Sequence, residues 1–128
     1  MAGPRRVKLG PLSWYARRRK LDYFLPHVAQ DAVIFDIGCS DSWFKREAGV
    51  RGWGNVVGID LRPPADIVGD VFRWRELGLE PHSADAIVAF EIIEHGDFAG
   101  VFRDLLKPDG LLFATTPVPR MDPICKAF

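Results

Sequence analysis

The residues best suited to chemistry lie where apolar runs end in an acid. One run begins at Ala32, ends in Asp36 and passes through Gly38 into small polar residues; a second begins at Asn55 and ends in Asp60, 22 residues beyond Gly38. A strand that leads into a glycine turn lets backbone amides approach a ligand closely. A carboxylate about 20 residues further on binds ribose hydroxyls in nucleotide-binding βαβ units. The pattern therefore predicts two parallel strands whose carboxyl ends form a binding edge for a nucleotide-like cofactor.

Apolar segments alternate with segments of helical spacing along the chain, which favours an α/β domain with a parallel sheet covered on both faces. The sequence predicts strands over residues 32–37, 55–61, 65–68, 84–90 and 111–116, and helical segments over 43–50 and 72–77. The side chains from Ser40 to Ser42 are suited to capping the helix over 43–50. The clearest predicted helix follows the fourth strand, where apolar residues recur at helical spacing at Phe98, Val101, Phe102, Leu105 and Leu106.

The first 30 residues concentrate positive charge ahead of the first acid, Asp22. The spacing of Trp14, Leu21, Leu25 and Val28 predicts a helix there, with one buried side and a solvated basic side. A basic arm can also meet phosphates or an anionic surface. Because the formal net charge of the chain is zero, composition gives no support for a nucleic-acid partner. The basic residues of this segment are Arg5, Arg6, Lys8, Arg17, Arg18, Arg19 and Lys20.

Composition predicts a single soluble globular domain, since the 128 residues are 48% hydrophobic and 27% charged. Apolar runs fall short of the roughly 18 residues of a membrane span, and the start of the chain lacks the apolar stretch of a signal peptide. These features predict a cytoplasmic protein. Cys39 and Cys125 are interpreted as reduced thiols, and Cys39 as a small filler without a redox role.

Five segments, in order, resemble those of class I S-adenosylmethionine-dependent methyltransferases, of the type 11/23 kind: VIFDIGCS, VVGIDL, DIVGD, ADAIVAFEIIEH and LLKPDGLLFATTP. The resemblance runs from about Val33 to Pro117. It implies a Rossmann-like, doubly wound, mostly parallel sheet with helices on both faces. Residues 31–128 would form this cofactor-binding domain, and residues 1–30 a basic helical segment that caps the site. The implied activity is in-line transfer of the methyl group of S-adenosylmethionine to a small-molecule acceptor, which yields S-adenosylhomocysteine.

The resemblance also implies roles for individual residues. The family's acid-x-Gly-x-Gly-x-Gly turn corresponds to Asp36 to Ser42, with Ser40 and Ser42 in the second and third glycine positions. By resemblance, Asp60 accepts hydrogen bonds from the ribose hydroxyls and Asp70 meets the adenine amino group. The residues implied to bind the cofactor are Asp36, Gly38, Cys39, Ser40, Asp60, Leu61, Asp70, Val71, Glu91 and Ile92.

Some of these residues could instead serve only the fold. Asp36 can shape the turn without touching the cofactor, and Asp70 can cap the helical turn that follows it. Phe72 and Trp74 can form a wall of the adenine site or belong to the core.

The segment after the fourth strand holds the catalytic candidates Glu94 and His95, of which His95 could act as a general base. On one helix, Glu91, Glu94 and His95 would project within roughly a 100° arc and could converge on a divalent ion such as Mg²⁺. That spacing resembles metal-dependent members of the family, which methylate catechol-like hydroxyls or the 3′-terminal ribose of small RNAs. In the alternative there is no metal, and Glu94 and His95 line the acceptor pocket.

The end of the chain departs from the family's seven-stranded sheet, because Phe128 follows the fifth predicted strand by about a dozen residues. The sequence is interpreted as a fragment or as a short form whose fifth-strand edge is covered by a partner or a second copy. Met121 to Phe128 is predicted to begin the next helix. The acceptor pocket is expected near four aromatic residues of the first segment, Trp14, Tyr15, Tyr23 and Phe24.

Two functions other than a self-sufficient methyltransferase fit parts of the same pattern. The first is a catalytically weak cofactor-binding module that needs a partner. The second is a nicotinamide-dependent dehydrogenase. The dehydrogenase is disfavoured because Ser40 and Trp43 stand where Gly-x-Gly-x-x-Gly requires glycine.

Overall fold

The computed structural model describes residues 10–116, which form one parallel sheet of five strands in the order β3-β2-β1-β4-β5. The strands are β1 (Ile34–Ile37), β2 (Val56–Asp60), β3 (Ile67–Val68), β4 (Ala84–Phe90) and β5 (Leu106–Thr115). The helices are α1 (Pro11–Phe24), α2 (Trp43–Val50) and α3 (Ala99–Leu105), with 3₁₀ turns at Leu25–His27, Val71–Arg73 and Ile93–His95. The predicted α/β, Rossmann-like fold is confirmed.

Successive residues of β1 point to opposite faces of the sheet, and each face is covered by a separate apolar cluster. Ile34 packs with α1 and α2, through residues such as Phe24 and Phe44. Phe35 packs on the other side, with α3 residues such as Phe102. All four residues of β1 are buried. Such a strand, buried on both faces, is what a continuous apolar run predicts in a parallel sheet.

Strand β1 lies at the centre of the sheet, paired in parallel with β2 on one side and with β4 on the other. The chain runs from β1 outward to β2 and β3, and then crosses back to β4. This reversal opens a crevice at the carboxyl ends of the central strands, where α/β sheets of this kind bind ligands.

The observed element bounds refine the predicted ones. The β4 and α2 ranges are as predicted, but the helical segment over 72–77 is only a 3₁₀ turn, Val71–Arg73. Strand β5 begins at Leu106 rather than at 111, since Leu106 pairs with Ala84 ahead of an irregularity in the ladder. Ser42 precedes α2 without capping it through its side chain.

The first helix is present, and its predicted buried side is confirmed except at Trp14. Leu21 and Leu25 are buried together with Phe24, and Val28, beyond the helical residues, packs against the same core, whereas Trp14 is 52% exposed. Within residues 10–116, no helix has both the length and the apolar character needed to cross a membrane. The predictions for Cys125 and for Met121 to Phe128 lie outside the described residues.

Candidate functional site

The turn after β1 is shaped by a close approach between Gly38 and Ile92. Gly38 has φ +76°, and a Cβ added to it would lie 2.4 Å from Ile92 Cγ2. Its backbone N–H donates to the carbonyl of Ile59 at 2.8 Å, which fixes the turn against β2. A side chain at this position would both strain the backbone and displace Ile92, so the fold requires glycine here.

The two serines in glycine positions keep the backbone conformation that glycine would adopt. Ser40 has φ 54° and Ser42 has φ 63°, both in the left-handed region. A residue other than glycine in this region stores strain of order 1 kcal/mol or more, and such strain clusters at functional turns. Serine therefore stands at both positions in a backbone conformation that glycine adopts more readily.

Asp60 joins the end of β2 to this turn. Its Oδ2 accepts a hydrogen bond from the backbone N–H of Ser40 at 2.8 Å, and its Oδ1 accepts one from Leu61 N–H at 2.6 Å. The carboxylate thus has a structural duty that the sequence did not indicate. Each carboxylate oxygen can accept a second hydrogen bond, so Asp60 can hold the turn and still accept hydroxyl donors from a ligand.

Asp70 follows β3 and caps the next turn. Its Oδ1 accepts a hydrogen bond from Phe72 N–H at 3.0 Å, as the capping alternative predicts. Asp70 also lines a cavity of about 460 Å³, called the first cavity below. The capping role and a ligand role are therefore compatible.

A first cavity of about 460 Å³ opens at the carboxyl ends of β1 and β2. Six of the predicted cofactor residues line it: Gly38, Asp60, Leu61, Asp70, Val71 and Ile92. Phe72 and Phe98 also line it, with ring centroids 4.8 Å apart, whereas Trp74 is only 3% exposed and belongs to the core. The volume falls within the range of small-molecule sites, and the lining is apolar apart from a few acids and His95.

A second cavity, of about 260 Å³, lies beside the first and shares Gly38 with it. Four further predicted residues line it: Asp36, Cys39, Ser40 and Glu91. Its opposite wall is α1, through Ser13, Ala16, Arg17 and Lys20, together with the rings of Trp43 and Phe90.

The α1 wall of the second cavity carries two cations. The Arg17 guanidinium carbon lies 4.9 Å from the ring centroid of Trp43, and its Nη2 lies 3.7 Å from Asp41 Oδ1. The Lys20 ammonium nitrogen lies 5.2 Å from the ring centroid of Phe90. The second cavity therefore has cations on one wall and the acids Asp36 and Glu91 among its other lining residues.

Asp36 is the buried acid of the site, only 2% exposed. Burial raises the pKa of its carboxyl to about 7, and the negative charges of Asp60 and Asp41 add to the effect. No hydrogen bond to this carboxylate is found within residues 10–116. The alternative in which Asp36 only shapes the turn, by accepting hydrogen bonds from backbone amides, is therefore not met there. The carboxyl lines the second cavity, where it can contact a ligand.

Cys39 is packed rather than reactive. Its side chain is 2% exposed, and burial raises the pKa of the thiol to about 11. A Cβ on Gly58 would lie 2.9 Å from Cys39 Sγ, so the sulfur fills the gap that this glycine leaves. The thiol is thus protonated near neutral pH, as expected for a filler.

The three residues of the proposed metal site do not share a helix. Glu91 has φ 62° and precedes the 3₁₀ turn Ile93–His95, so the predicted 100° arc is wrong. Glu91 lines the second cavity and His95 the first. Among the side chains that the structure describes, no three His, Cys, Asp or Glu residues could hold a metal ion. The side chain of Glu94 lies outside that set.

Some residues that line the two cavities were not predicted to do so from the sequence. Phe98 was predicted only as a helix core position, and Arg17 and Lys20 as a solvated face. The aromatic residues expected at the acceptor pocket are not among the lining of either cavity. Trp14, Tyr15 and Tyr23 are exposed and Phe24 is buried in the core.

Comparison with known proteins finds likeness in structure alone. No protein-family model and no curated protein matches the sequence. An S-adenosylmethionine-dependent methyltransferase from Archaeoglobus fulgidus matches with a TM-score of 0.67 at 16% identity, over 83% of this chain and 53% of that one. A protein described as a candidate type II methyltransferase from Anaeromyxobacter dehalogenans matches with a TM-score of 0.56 at 22% identity, over 85% of this chain and 52% of that one. This chain thus has the class I methyltransferase fold and spans about half the length of the structures it resembles.

Proposed function

We propose that this chain binds S-adenosylmethionine and serves in transfer of its methyl group to a small-molecule acceptor. The observation that carries the proposal is the arrangement around the first cavity. There the Gly38 turn and the carboxylates of Asp60 and Asp70 border one crevice at the strand-order reversal. The methyltransferase structures with the same fold support this assignment.

The first cavity fits the adenosyl part of the cofactor. Asp60 would accept hydrogen bonds from the ribose hydroxyls, and Asp70 from the adenine amino group, while Leu61 and Val71 supply apolar contact. Gly38 lines this cavity as well as the second one, so its backbone borders the ligand, while Ile92 fills the space where a side chain of residue 38 would lie. The rings of Phe72 and Phe98, tilted by 30° against each other, give an aromatic wall beside Asp70.

The second cavity fits the amino-acid part of the same cofactor. A zwitterion needs anionic and cationic neighbours, and this cavity has Asp36 and Glu91 together with Arg17 and Lys20. Because the two cavities meet at Gly38, one ligand can occupy both, with Ile92 beside the junction.

When bound, the cofactor supplies an already activated methyl group, so the protein's work is to position the reactants and exclude water. His95 lines the first cavity, where it can accept a proton from an acceptor hydroxyl or amine. Glu94, adjacent in the same 3₁₀ turn, is the second candidate for that role.

Calorimetric titration with S-adenosylhomocysteine tests the proposal. We expect binding by the wild-type chain, loss of at least tenfold in affinity in Asp60→Ala, and no binding of NAD. Asp66→Ala is the matched control. Asp66 also accepts a backbone hydrogen bond, from Gly58 at 2.8 Å, but lines neither cavity. Equal losses in the two variants, or no binding by folded wild-type protein, would refute the cofactor assignment.

A cofactor-binding module that needs a partner is the second candidate. Exposed apolar residues near the sheet edge, Leu111 and Leu112, favour it. Such a module would bind S-adenosylhomocysteine but transfer no methyl group to any acceptor tried until a partner is added. A self-sufficient enzyme would need no partner for transfer.

A further inference from the structure

The outer side of α1 combines exposed apolar side chains with cations. Leu12 is 83% exposed, Trp14 52%, Tyr15 57% and Tyr23 63%. At about 100° per residue, Leu12, Tyr15 and Arg19 lie on the side opposite to the buried Leu21 and Phe24. Trp14 and Arg18 lie on the adjoining flank, towards Leu21, so the outer side is here the whole exposed half of α1. Neither cavity is lined by these outer residues, so the proposed function leaves them unexplained.

This exposed half of α1 has an excess of positive charge. Arg18 lies over the Trp14 ring, 4.7 Å from its centroid, and Arg19 lies 5.9 Å from that of Tyr15. Within residues 10–116, neither arginine has an acidic partner within 4 Å. Asp22, the acid on this side, pairs with Arg51 at 2.5 Å. The sequence adds Arg5, Arg6 and Lys8 just ahead of the helix.

We propose that the outer side of α1 docks this domain on an anionic lipid surface. Tyr and Trp rings favour the boundary between headgroups and acyl chains, an exposed Leu gains by entering it, and arginines pair with lipid phosphates. Charge complementarity and the exposed apolar area thus point to the same partner. This proposal does not rest on the methyltransferase assignment.

A nucleic acid fits the same surface less well. Bases bind exposed rings by stacking, but Arg18 and Arg19 already lie over Trp14 and Tyr15, which leaves each ring one free face. Leu12 has no ring, charge or hydrogen-bonding group with which to bind a base or a phosphate. A lipid surface uses all of these groups, because arginines can reach the phosphates while the rings and Leu12 enter the boundary.

Docking would also place the site near the surface. The inner side of α1 lines the second cavity through Arg17 and Lys20. A helix is about 10 Å across, so the cavity would lie roughly one helix diameter from the lipid.

Co-sedimentation with vesicles tests the proposal, using phosphatidylcholine with and without phosphatidylglycerol. We expect the full chain to bind anionic vesicles at least about tenfold more tightly than neutral ones, with binding weakened by salt. Arg18→Glu with Arg19→Glu should lower the partition coefficient about tenfold or more. Arg73→Glu with Arg103→Glu is the matched control, because those arginines are 72% and 79% exposed on other elements.

The apolar contribution is tested in the same way. Leu12→Ser with Trp14→Ser should weaken vesicle binding, whereas Val50→Ser, at an 84% exposed position of α2, should not. Anionic vesicles should also protect tryptophan fluorescence from acrylamide, and Trp14→Phe should remove that protection. Of the other three tryptophans, Trp43 and Trp74 are buried, and Trp53 is half-buried against the core away from α1's outer side.

Three outcomes would overturn the proposal. One is equal binding to neutral and anionic vesicles. Another is an equal effect of the control variants. The third is binding of RNA, or self-association, through this side of α1 in the absence of vesicle binding. Circular dichroism of each variant establishes that a loss of binding is not a loss of fold.

Discussion

At the scale of single residues, Gly38 is the position where the sequence pattern and the structure agree most closely. Its approach to Ile92 requires the absence of a side chain, and its positive φ favours glycine. The apolar run and the small residues after it are local signals, and a turn of this kind is decided by local sterics. That is why the site's turn could be predicted before the fold was known.

Gly38→Ala should therefore weaken both folding and ligand binding. We expect a loss of about 1–3 kcal/mol in the free energy of unfolding, from backbone strain and the displaced Ile92. Urea unfolding and titration with S-adenosylhomocysteine measure the two effects. Gly49→Ala is the control, because a Cβ there meets nothing within 4 Å; it should keep or raise stability, by up to about 1 kcal/mol. Unchanged binding in Gly38→Ala would mean that the turn does not approach the ligand.

Asp36 makes stability depend on pH in a direction that sequence alone does not reveal. The pKa of its carboxyl rises from 3.8 to about 7 on folding, so the folded protein holds a proton that the unfolded chain releases. Its contribution to stability is complete below about pH 4 and is lost as pH rises towards 7 and beyond. The charged groups that line the same cavity are Glu91, Arg17 and Lys20.

We expect Asp36→Asn to remove this dependence. Relative to wild type, the variant should gain stability between about pH 4 and pH 7, up to a limit of about 4 kcal/mol. Urea unfolding of both proteins at several pH values gives the difference. Asp31→Asn, at an exposed position, should show no such trend. Parallel pH profiles for wild type and Asp36→Asn would contradict a raised pKa.

At the scale of elements, the strands were easier to predict than the sides of helices. β1 and β4 are buried on both faces, and a continuous apolar run marks such a strand directly. In α1, by contrast, helical spacing identified Leu21 and Leu25 but included the exposed Trp14 and missed Phe24, which packs against Phe44 and Phe113. Those contacts join distant parts of the chain, so spacing alone could not show that Phe24 rather than Trp14 is buried.

Arg17 and Lys20 lie on the side of α1 that lines the second cavity. Their effect on ligand binding can therefore be measured separately from their effect on folding. Arg17→Ala with Lys20→Ala should lower affinity for S-adenosylhomocysteine about tenfold, because the second cavity loses its cations. Affinity for methylthioadenosine, which lacks the amino-acid part, should stay unchanged. Arg18→Ala with Arg19→Ala, on the outer side of the same helix, is the matched control. Equal losses for both ligands would mean that the inner cations act only through folding.

At the scale of the whole molecule, the part of the sheet formed by residues 10–116 is covered at its centre and less covered at β5. Leu111 and Leu112 are neighbours in β5, so their side chains point to opposite faces of the sheet. They are 43% and 45% exposed. Neither face is therefore fully covered at this edge within residues 10–116. An edge strand with uncovered apolar side chains favours pairing with another chain.

We therefore expect this chain to associate with itself through β5 as its concentration rises. Sedimentation velocity across a wide concentration range should show an increase in average mass for the wild type. Leu111→Thr with Leu112→Thr should remove it, since threonine keeps strand propensity but loses apolar area. Val68→Thr is the control, because Val68 is 48% exposed on β3 at the opposite edge. A wild-type chain that stays monomeric throughout, or equal effects of the two changes, would show that β5 is not the associating edge.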